Sequence, residues 1–402
     1  MKPVYIAAYH QSKFGKLMAM TVPEIVSKAV TETCAQAGAP PSAVDVASIG
    51  AACNISLNQQ GLLSGLIAEV PGMAAKPIET VENACASGGQ AIMSVAAKLH
   101  SGQGEVGLAL GYEKMRNAEG KMDGKQVGEA LGYFSHPQDR EGKVYVFPHI
   151  FAEVMECYMK THKTPEEHFS RIAVQEYANG NKNPYAQMQK VQVTLEEAAG
   201  INERNRYIVD GLPLKTYDCS QITDGYAGLI LATEEGLSRL GIKKQDCVLL
   251  AGYAQATDAL RKGGRDILRP VGALTAMSKA YQMAGAKPAD VNVAEVHDCF
   301  TVMGALGTEV VGVAGYGQGA QYWADGKAAP GGGACAINTS GGLIAKGHPI
   351  GATGIAMVGW CSWQLLGKAP SELQVKNART AATFNIGGPI CASVCTVLKP
   401  AV

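Results

Sequence analysis

Gln36-Ala-Gly-Ala-Pro-Pro-Ser-Ala-Val-Asp-Val-Ala47 is repeated 247 residues later as Met283-Ala-Gly-Ala-Lys-Pro-Ala-Asp-Val-Asn-Val-Ala294. Seven of the twelve positions are identical. Each copy ends a helical pattern, passes a glycine and a proline, and enters an apolar strand. A repeat of only two copies is not a solenoid, so it predicts two halves of similar fold packed together. A chance match between two short segments is the alternative.

Each half alternates short strands rich in Val, Ile, Leu and Ala with helical stretches. Residues 106–111 (Val-Gly-Leu-Ala-Leu-Gly), for example, carry no polar side chain and are typical of a strand buried on both faces. Such alternation indicates an α/β fold with largely parallel central strands.

The stretch 119–215 differs from both halves because it is rich in charge, Tyr, Asn and His. A long insertion on an α/β scaffold is usually a lid or a substrate-binding subdomain, and a decorative or interface-forming insertion is the alternative. We therefore expect a first half at 1–118 together with 216–255, an inserted loop domain at 119–215, and a second half at 256–402.

The composition excludes several classes of function. The 402 residues are 47% hydrophobic and 17% charged, with 35 basic and 35 acidic side chains. A balanced charge favours neither nucleic acid nor an anionic membrane surface as a partner. No apolar run reaches the roughly 18 residues needed to span a bilayer, and the first residues do not resemble a signal peptide. We expect a cytoplasmic protein.

The eleven cysteines contain no Cys-x-x-Cys pair, and their odd number cannot pair completely within the chain. Most are best interpreted as small buried hydrophobic residues. The spacing predicts no structural zinc site, so we expect no bound metal.

His348 lies in the glycine-rich run Gly347-His348-Pro349-Ile350-Gly351-Ala352-Thr353-Gly354. Glycines allow a tight turn and the close approach of other backbone or of a ligand. The apolar stretch that follows predicts buried structure, so the imidazole lies on a turn leading into the core. That position suits a catalytic base, although a purely structural turn is the alternative.

Cys85 stands among small residues in Asn83-Ala84-Cys85-Ala86-Ser87-Gly88-Gly89. Apolar residues continue at helical spacing from Ile92, which places Cys85 at or just before a helix N-terminus. The helix dipole and free N–H groups there favour a thiolate, and the small neighbours leave room for an acyl group. One more buried structural cysteine is the alternative.

His297-Asp298-Cys299 ends the strand of the second repeat copy. Residues two apart on a strand share a face, so His297 and Cys299 can point into one pocket while Asp298 points away. A histidine and a thiol on one face suit proton transfer; no third metal ligand is evident from the spacing. An incidental histidine beside a core cysteine is the alternative.

Gly387 belongs to Phe384-Asn385-Ile386-Gly387-Gly388-Pro389 near the C-terminus. Paired glycines can offer backbone N–H groups to a ligand, which an oxyanion hole requires. A plain turn between two strands is the alternative.

With these segments in this order, the chain resembles a thiolase over essentially its whole length. The segment around Cys85 resembles the nucleophile motif. Asn338-Thr339-Ser340-Gly341-Gly342 followed by Gly347-His348-Pro349 resembles the histidine loop of the family, and Asp224-Gly225 resembles the segment that closes its N-terminal half.

Two departures from the common family pattern resemble those of the branch of sterol-carrier-protein-2 thiolases and related bacterial and archaeal enzymes. His297-Asp298-Cys299-Phe300 replaces the more common Asn-Glu-Ala-Phe, and Asn385 replaces a cysteine. In that branch the resemblance implies that Cys299 supplies the second catalytic thiol. Pro389 interrupts the usual glycine run.

The resemblance implies a thiolase fold, with two βαβαβαββ halves in five αβαβα layers. It implies that Cys85 is the nucleophile, His348 its base, Cys299 the second acid and base, and that His297 and His348 hold an enolate oxygen. Gly387 contributes an oxyanion-hole N–H group. Coenzyme A is the co-substrate, and no cofactor is permanently bound.

The resemblance also implies a homodimer or a dimer of dimers, and a small zinc-ribbon/OB-fold partner subunit. A bulky or aryl substrate such as benzoylsuccinyl-CoA is one hypothesis. Other hypotheses are a ketoacyl synthase or hydroxymethylglutaryl-CoA synthase type of Claisen enzyme, and a non-catalytic acyl-CoA carrier or scaffold. The run from Gly347 to Gly354 argues against the first two, and the retained Cys85, His297, Cys299 and His348 argue against the last.

Overall fold

A computed structural model describes residues 2–17, 19–116 and 121–401. The chain begins with β1 (Tyr5–Gln11), α1 (Val22–Gln36), β2 (Val46–Gly50), α2 (Asn54–Asn58), α3 (Leu63–Ala68), β3 (Ile78–Val81), α4 (Ser87–His100) and β4 (Val106–Glu113). An insertion follows with α5 (Gly124–Gly132), α6 (Pro137–Arg140), α7 (Val146–His162), α8 (Glu166–Lys182) and α9 (Leu195–Ala199). The first half then closes with β5 (Gly225–Ala232) and α10 (Glu234–Leu240).

The second half repeats this plan without an insertion of comparable length. It consists of β6 (Val248–Thr257), α11 (Val271–Ala284), β7 (Val293–Val296), α12 (Thr301–Val311), α13 (Gly319–Ala324), β8 (Ala336–Ile337), a π-helical turn (Gly342–Lys346), α14 (Ile350–Leu366), β9 (Ala381–Gly387) and β10 (Ala392–Pro400).

The sheet order confirms the two similar halves. From the outer edge to the middle, the first half reads β3-β2-β4-β5-β1 and the second reads β8-β7-β9-β10-β6. The strands therefore occupy the same places in the same chain order, and the halves meet where β1 pairs with β6. The repeated segments lead into equivalent strands, because β2 begins at Val46 and β7 at Val293.

The expectation of largely parallel strands was wrong, because the sheet is mixed. Parallel pairing is confined to β2 with β3 and β4, and to β7 with β8 and β9, while the other neighbours are antiparallel. Helices cover both faces of the sheet, so β4 and β5 are buried throughout despite their antiparallel pairing. Burial on both faces was therefore a poor guide to strand direction.

Two of the predicted domain boundaries can be compared with these elements. By the repeated topology β6 is the first strand of the second half, whereas a division at 255/256 cuts through it. The predicted boundary at 118/119 lies outside the described residues. The insertion leaves the first half after β4 and returns at β5.

The middle layer of the fold is formed by α4 and α14. The helix α4 packs on β2 and β4, and α14 contacts α4 and strands of both halves, β4 and β5 as well as β7 and β9. The outer layers include α1 on β1 and β5, and α11 on β6 and β10. Because α14 contacts both half-sheets, each half-sheet forms a β layer of its own, with α4 and α14 between them. Together with the outer helices, this gives the predicted five αβαβα layers.

Buried surroundings explain the composition of α14. Fourteen of its seventeen residues are buried, and a helix that is apolar on all faces is stable only where neighbours cover every face. In the parts of the chain that the structure describes, no helix combines the length and the apolar character that a bilayer span requires.

Candidate active site

A cavity of about 350 Å³ lies beside the N-terminal ends of α4 and α14, under the insertion. Cys85, His297, Cys299 and His348 all line it. Most of its remaining wall is apolar or aromatic: Met115, Met122, Val127, Leu131, Tyr145, Val146, Phe147, Pro148, Phe151, Ile208, Ile222, Phe300 and Ile350. Three segments far apart in the sequence therefore present their reactive side chains to one largely apolar cavity.

Cys85 is held by a tight turn just before α4. Ala84 adopts a left-handed conformation with φ 48°. The Ser87 hydroxyl closes the turn, since it accepts a hydrogen bond from the N–H group of Asn83 at 2.9 Å and donates one to the Ala84 carbonyl at 2.6 Å. The sequence thus positions the thiol through backbone that small residues allow.

The thiol of Cys85 is neutral at rest. Burial raises its pKa to about 12, and the charge of Glu113 adds to this, whereas the N–H groups of Gly388 and of Cys85 itself act in the opposite direction. The nearby N–H groups lower the pKa of the thiol, in the direction that the sequence indicated, but burial has the larger effect. Desolvation of the charged form outweighs the nearby N–H groups, so attack requires a base.

His348 occupies the equivalent place in the second half, just before α14. Gly347 has φ 115°, which glycine adopts without strain, and a Cβ there would lie 2.9 Å from a methyl carbon of Thr223. The N–H group of His348 donates to the Thr223 hydroxyl at 3.0 Å, and its ring Nδ1 lies 2.7 Å from the hydroxyl of Thr353. Burial lowers the pKa of His348 to about 3, so the imidazole is an uncharged base.

His297 and Cys299 follow directly after β7. The backbone N–H of His297 extends the sheet by donating to Phe384 at 2.9 Å, and both side chains line the cavity. Asp298 points away and accepts hydrogen bonds from the N–H groups of Leu343 at 2.7 Å and Ile344 at 3.4 Å. His297 and Cys299 therefore line the cavity, whereas the carboxylate between them holds the π-helical turn.

Burial keeps both cavity-lining groups of this segment uncharged. It lowers the pKa of His297 well below its usual value, with neighbouring His348 adding to the effect. It raises the pKa of the Cys299 thiol well above its usual value. The rings of His297 and His348 meet edge to face, with centroids 4.9 Å apart.

The side-chain amide of Asn385 lies between the Cys85 backbone and the His297 ring. Its Nδ2 lies 3.0 Å from the carbonyl oxygen of Cys85 and 3.0 Å from Nδ1 of His297. From the sequence Asn385 was visible only as a departure from a family pattern. No local signal could have revealed these contacts, because 300 residues separate Asn385 from Cys85.

Gly387, the predicted oxyanion-hole residue, is the last residue of β9. A Cβ there would lie 2.1 Å from the carbonyl oxygen of Asn83, so only glycine fits beside the Cys85 turn. Its neighbour Gly388 lines the cavity, and the N–H group of Gly388 faces the Cys85 thiol. The turn that follows Gly387 therefore brings the N–H group of Gly388, rather than that of Gly387, to the nucleophile.

The structure brings three potential metal ligands together, although the spacing of these residues in the sequence did not indicate a metal site. Ligand atoms of Cys85, His297 and His348 all lie within 4.8 Å of one another. A cysteine with two histidines is a donor set that zinc accepts. A cation bound there would occupy the nucleophilic sulfur, so the same three atoms cannot serve metal binding and acyl transfer together.

Glu113 is a buried carboxylate that sequence analysis missed. It accepts hydrogen bonds from the N–H groups of Cys53 at 2.9 Å, Ala52 at 3.1 Å and Gly351 at 3.1 Å. Burial raises its pKa to about 7. Because Gly351 lies in the first turn of α14, Glu113 ties the end of β4 to the helix that follows His348.

Comparisons with known proteins agree with this architecture. Family models described as "Thiolase, N-terminal domain" and "Thiolase C-terminal domain-like" match residues 4–235 and 254–400. An acetyl-CoA acetyltransferase of Methanothermobacter thermautotrophicus is 32% identical over 388 residues, which cover 96% of this chain and 97% of the relative. Sterol carrier protein 2 of Homo sapiens is 30% identical, with 96% of this chain and 70% of the relative covered.

Solved structures are similar at the level of the fold. A structure described as "Ltp2-ChsH2(DUF35) aldolase" has a TM-score of 0.80 and 22% identity, and the match covers 99% of this chain and 98% of that one. Human mitochondrial 3-ketoacyl-CoA thiolase in complex with CoA has a TM-score of 0.73 and 17% identity, with 100% and 98% covered.

Proposed function

The chain belongs to the thiolase family and is an acyltransferase of the thiolase type, and from this premise we propose that it cleaves a β-ketoacyl-CoA with coenzyme A through an acyl-Cys85 intermediate, or forms one by the reverse Claisen condensation. Coenzyme A is the co-substrate. One observation carries the assignment of residues: a nucleophilic thiol, two uncharged imidazoles and a second thiol line a single apolar cavity.

In the first half-reaction, His348 takes the proton of Cys85 while the sulfur attacks the β-keto carbon. The tetrahedral oxyanion is held by N–H groups of Cys85 and of the Gly387-Gly388 turn. One such donor typically lowers the activation barrier by about 3–4 kcal/mol. Collapse of this intermediate breaks the carbon–carbon bond, leaves the acyl group on Cys85, and releases the enolate of a CoA thioester.

The enolate is then protonated on carbon by Cys299. His297 and His348 hold its thioester oxygen during this step. Because burial raises the pKa of Cys299, this thiol keeps its proton at rest and becomes a strong base after giving it up.

In the second half-reaction, the Cys299 thiolate takes the proton of free CoA. The CoA sulfur attacks the acyl-Cys85 thioester, and the departing Cys85 sulfur recovers its proton from His348. Each residue thereby returns to its starting protonation state, and the same steps in reverse give condensation.

Two variants test the roles of the thiols. Cys85→Ala is expected to form no acyl-enzyme on exposure to a β-ketoacyl-CoA, as measured by mass spectrometry of the intact protein. Cys299→Ala is expected to be acylated but to lose exchange of the α-proton of the acyl-CoA with deuterated solvent. Cys157→Ala, at an exposed cysteine away from the cavity, is the control. Normal turnover by Cys299→Ala would contradict its assignment.

The residues that line the cavity favour a substrate with a bulky, uncharged acyl group. Aromatic rings of Phe147, Phe151 and Phe300 face the space, and among the described lining residues there is no lysine or arginine. Benzoylsuccinyl-CoA fits through its aryl part, but its extra carboxylate would be buried without a cationic partner, which is costly. We therefore propose aryl or branched β-ketoacyl-CoA esters as the substrate class.

A substrate panel tests this class. We expect kcat/KM for benzoylacetyl-CoA to exceed that for 3-oxoadipyl-CoA, which carries a carboxylate, by at least about tenfold, since an unpaired buried charge opposes binding. Acetoacetyl-CoA, small and uncharged, is the reference. A preference for 3-oxoadipyl-CoA would overturn the proposal.

A small partner subunit of the zinc-ribbon/OB-fold type and a homodimer or dimer of dimers remain part of the proposal. The rim of the cavity favours the proposal of a partner that covers it, because Met122, Tyr145 and Ile208 line the cavity and are 47%, 48% and 40% exposed. Exposed apolar side chains of this kind are typical of a protein–protein contact. The fold neighbour named for a DUF35 subunit is consistent with such a partner. Light scattering of the purified protein, with and without a co-expressed partner, tests both.

A further inference from the structure

We propose that Asn385 is a positioning residue that holds His297 in the tautomer with its proton on Nε2, which makes His297 a hydrogen-bond donor to the enolate oxygen. The proposal rests on the function proposed above and explains why an asparagine stands at this position. It is carried by the hydrogen-bonding capacities of three neighbouring groups: the Cys85 carbonyl, the Asn385 amide and the His297 ring.

The Cys85 carbonyl fixes the orientation of the amide. A carbonyl oxygen can only accept, and the Asn385 atom 3.0 Å from it must therefore be the Nδ2 donor. The opposite orientation would set two oxygens against each other. Two glycines leave the space that this amide occupies, since a Cβ at Gly354 would lie 2.4 Å from Oδ1 of Asn385 and one at Gly89 would lie 2.9 Å from it.

The amide in turn fixes the tautomer of His297. Nδ2 carries two N–H bonds, and its second neighbour, also at 3.0 Å, is Nδ1 of His297. Nδ1 must then accept with its lone pair, so the single ring proton of a neutral imidazole lies on Nε2. Nε2 is buried, and within the described part of the chain it has no hydrogen-bond partner. It is a donor available to a ligand oxygen.

His348 is held in the opposite tautomer. The Thr353 hydroxyl lies 3.0 Å from the Pro349 carbonyl and 2.7 Å from Nδ1 of His348. Its only proton goes to the carbonyl, which cannot donate, so the hydroxyl oxygen accepts from Nδ1–H. Nε2 of His348 keeps a free lone pair for the Cys85 proton. Of the two adjacent imidazoles, His348 is thus the base and His297 the hydrogen-bond donor.

The tautomer can be measured independently of activity. In protein containing 15N-labelled histidine, NMR is expected to show neutral His297 protonated on Nε2, with assignment by loss of its signals in His297→Gln. In Asn385→Asp, the carboxylate can only accept, so Nδ1 becomes protonated. A wild-type His297 protonated on Nδ1, or an unchanged neutral tautomer in Asn385→Asp, would overturn the proposal.

A kinetic comparison separates tautomer control from general support of the site. Acyl exchange between an acyl-CoA and labelled CoA uses Cys85 and His348 but forms no enolate, whereas thiolysis needs the enolate donor. The ratio of thiolysis to exchange is expected to fall about 10²–10³-fold in Asn385→Asp, the cost of one lost oxyanion donor. The matched control is Asn377→Asp at an exposed residue, which should leave the ratio unchanged.

These outcomes distinguish failure of the Asn385 role from failure of the acyl-Cys85 chemistry. An equal loss of thiolysis and exchange in Asn385→Asp, or no loss of either, would reject Asn385 as the tautomer-positioning residue. Absence of exchange in the wild-type protein would instead reject the proposed acyl-Cys85 chemistry, while the NMR measurement would still report the tautomer.

Discussion

At the scale of single residues, the chemistry of the site is set by burial. Desolvation moves the pKa of Cys85 up to about 12 and that of His348 down to about 3, and both shifts favour the uncharged forms. A resting thiolate–imidazolium pair is therefore disfavoured. Proton transfer from Cys85 to His348 has to accompany attack on the β-keto carbon, and the N–H groups of the oxyanion hole must help to stabilise the developing charge.

This assignment predicts the pH dependence of Cys85 alkylation. The thiolate is the reactive form, and its fraction rises with pH until the pKa of about 12 is reached. The rate of Cys85 labelling by iodoacetamide should thus rise about tenfold per pH unit from about pH 6 to pH 10, with no plateau. Mass spectrometry of the Cys85 peptide measures it, with the exposed Cys157 as the internal reference. A plateau near neutral pH would indicate a resting thiolate instead.

At the scale of secondary-structure elements, the site depends on how closely the N-terminal ends of α4 and α14 approach each other. A Cβ on Gly88 would lie 2.4 Å from the carbonyl oxygen of Gly351, and one on Gly351 would lie 2.4 Å from that of Gly50. Backbone-to-backbone contact of this kind requires glycine. Because Cys85 and His348 precede these two helices, the glycines set the distance between nucleophile and base.

Gly351→Ala tests this contact. The added methyl group would meet the carbonyl oxygens of Tyr112 and Gly50 at 2.3 and 2.4 Å, and backbone cannot yield as a flexible side chain would. We expect the free energy of unfolding to fall by about 1–3 kcal/mol and acylation of Cys85 to slow. Denaturant unfolding and burst-phase acylation are the measurements. Gly263→Ala, whose nearest neighbour is a side-chain atom at 3.8 Å, should change neither.

At the scale of the whole molecule, the two halves share one interior. The pairing of β1 with β6 joins them through Tyr5 with Leu249 and Ile6 with Val248, and α14 packs against strands of both halves. The nucleophile and its base lie at equivalent positions of the repeat, before α4 and before α14. A duplicated fold thus brings two different reactive loops to one place, and neither half contains a complete site.

The shared interior predicts cooperative unfolding of the two halves. All three tryptophans lie in the second half, so their fluorescence follows that half, while labelling of buried Cys34 follows the first. Both signals should change at the same denaturant concentration, because exposing α14 removes the packing of both half-sheets. Separate midpoints for Trp fluorescence and Cys34 labelling would show that the halves unfold independently.

Much of this architecture could be predicted from local sequence. The repeat beginning at Gln36 and Met283 indicated two similar halves, and the alternation of strands and helices indicated an α/β fold, because both leave periodic patterns of apolar and turn residues. Glycine-rich runs around Cys85 and His348 indicated tight turns that carry reactive side chains. The period of two in a strand separated His297 and Cys299 from Asp298.

Only the tertiary structure decided the properties that depend on residues distant in sequence. Strand direction was misjudged, since burial on both faces is the same for parallel and antiparallel strands between helical layers. The high pKa of Cys85 could not be predicted from the helix terminus, because desolvation is set by all the residues that surround the thiol. The links of Asn385 to Cys85 and His297, and of Glu113 to Gly351, were invisible for the same reason: a hydrogen bond between residues 88 to 300 positions apart leaves no local pattern.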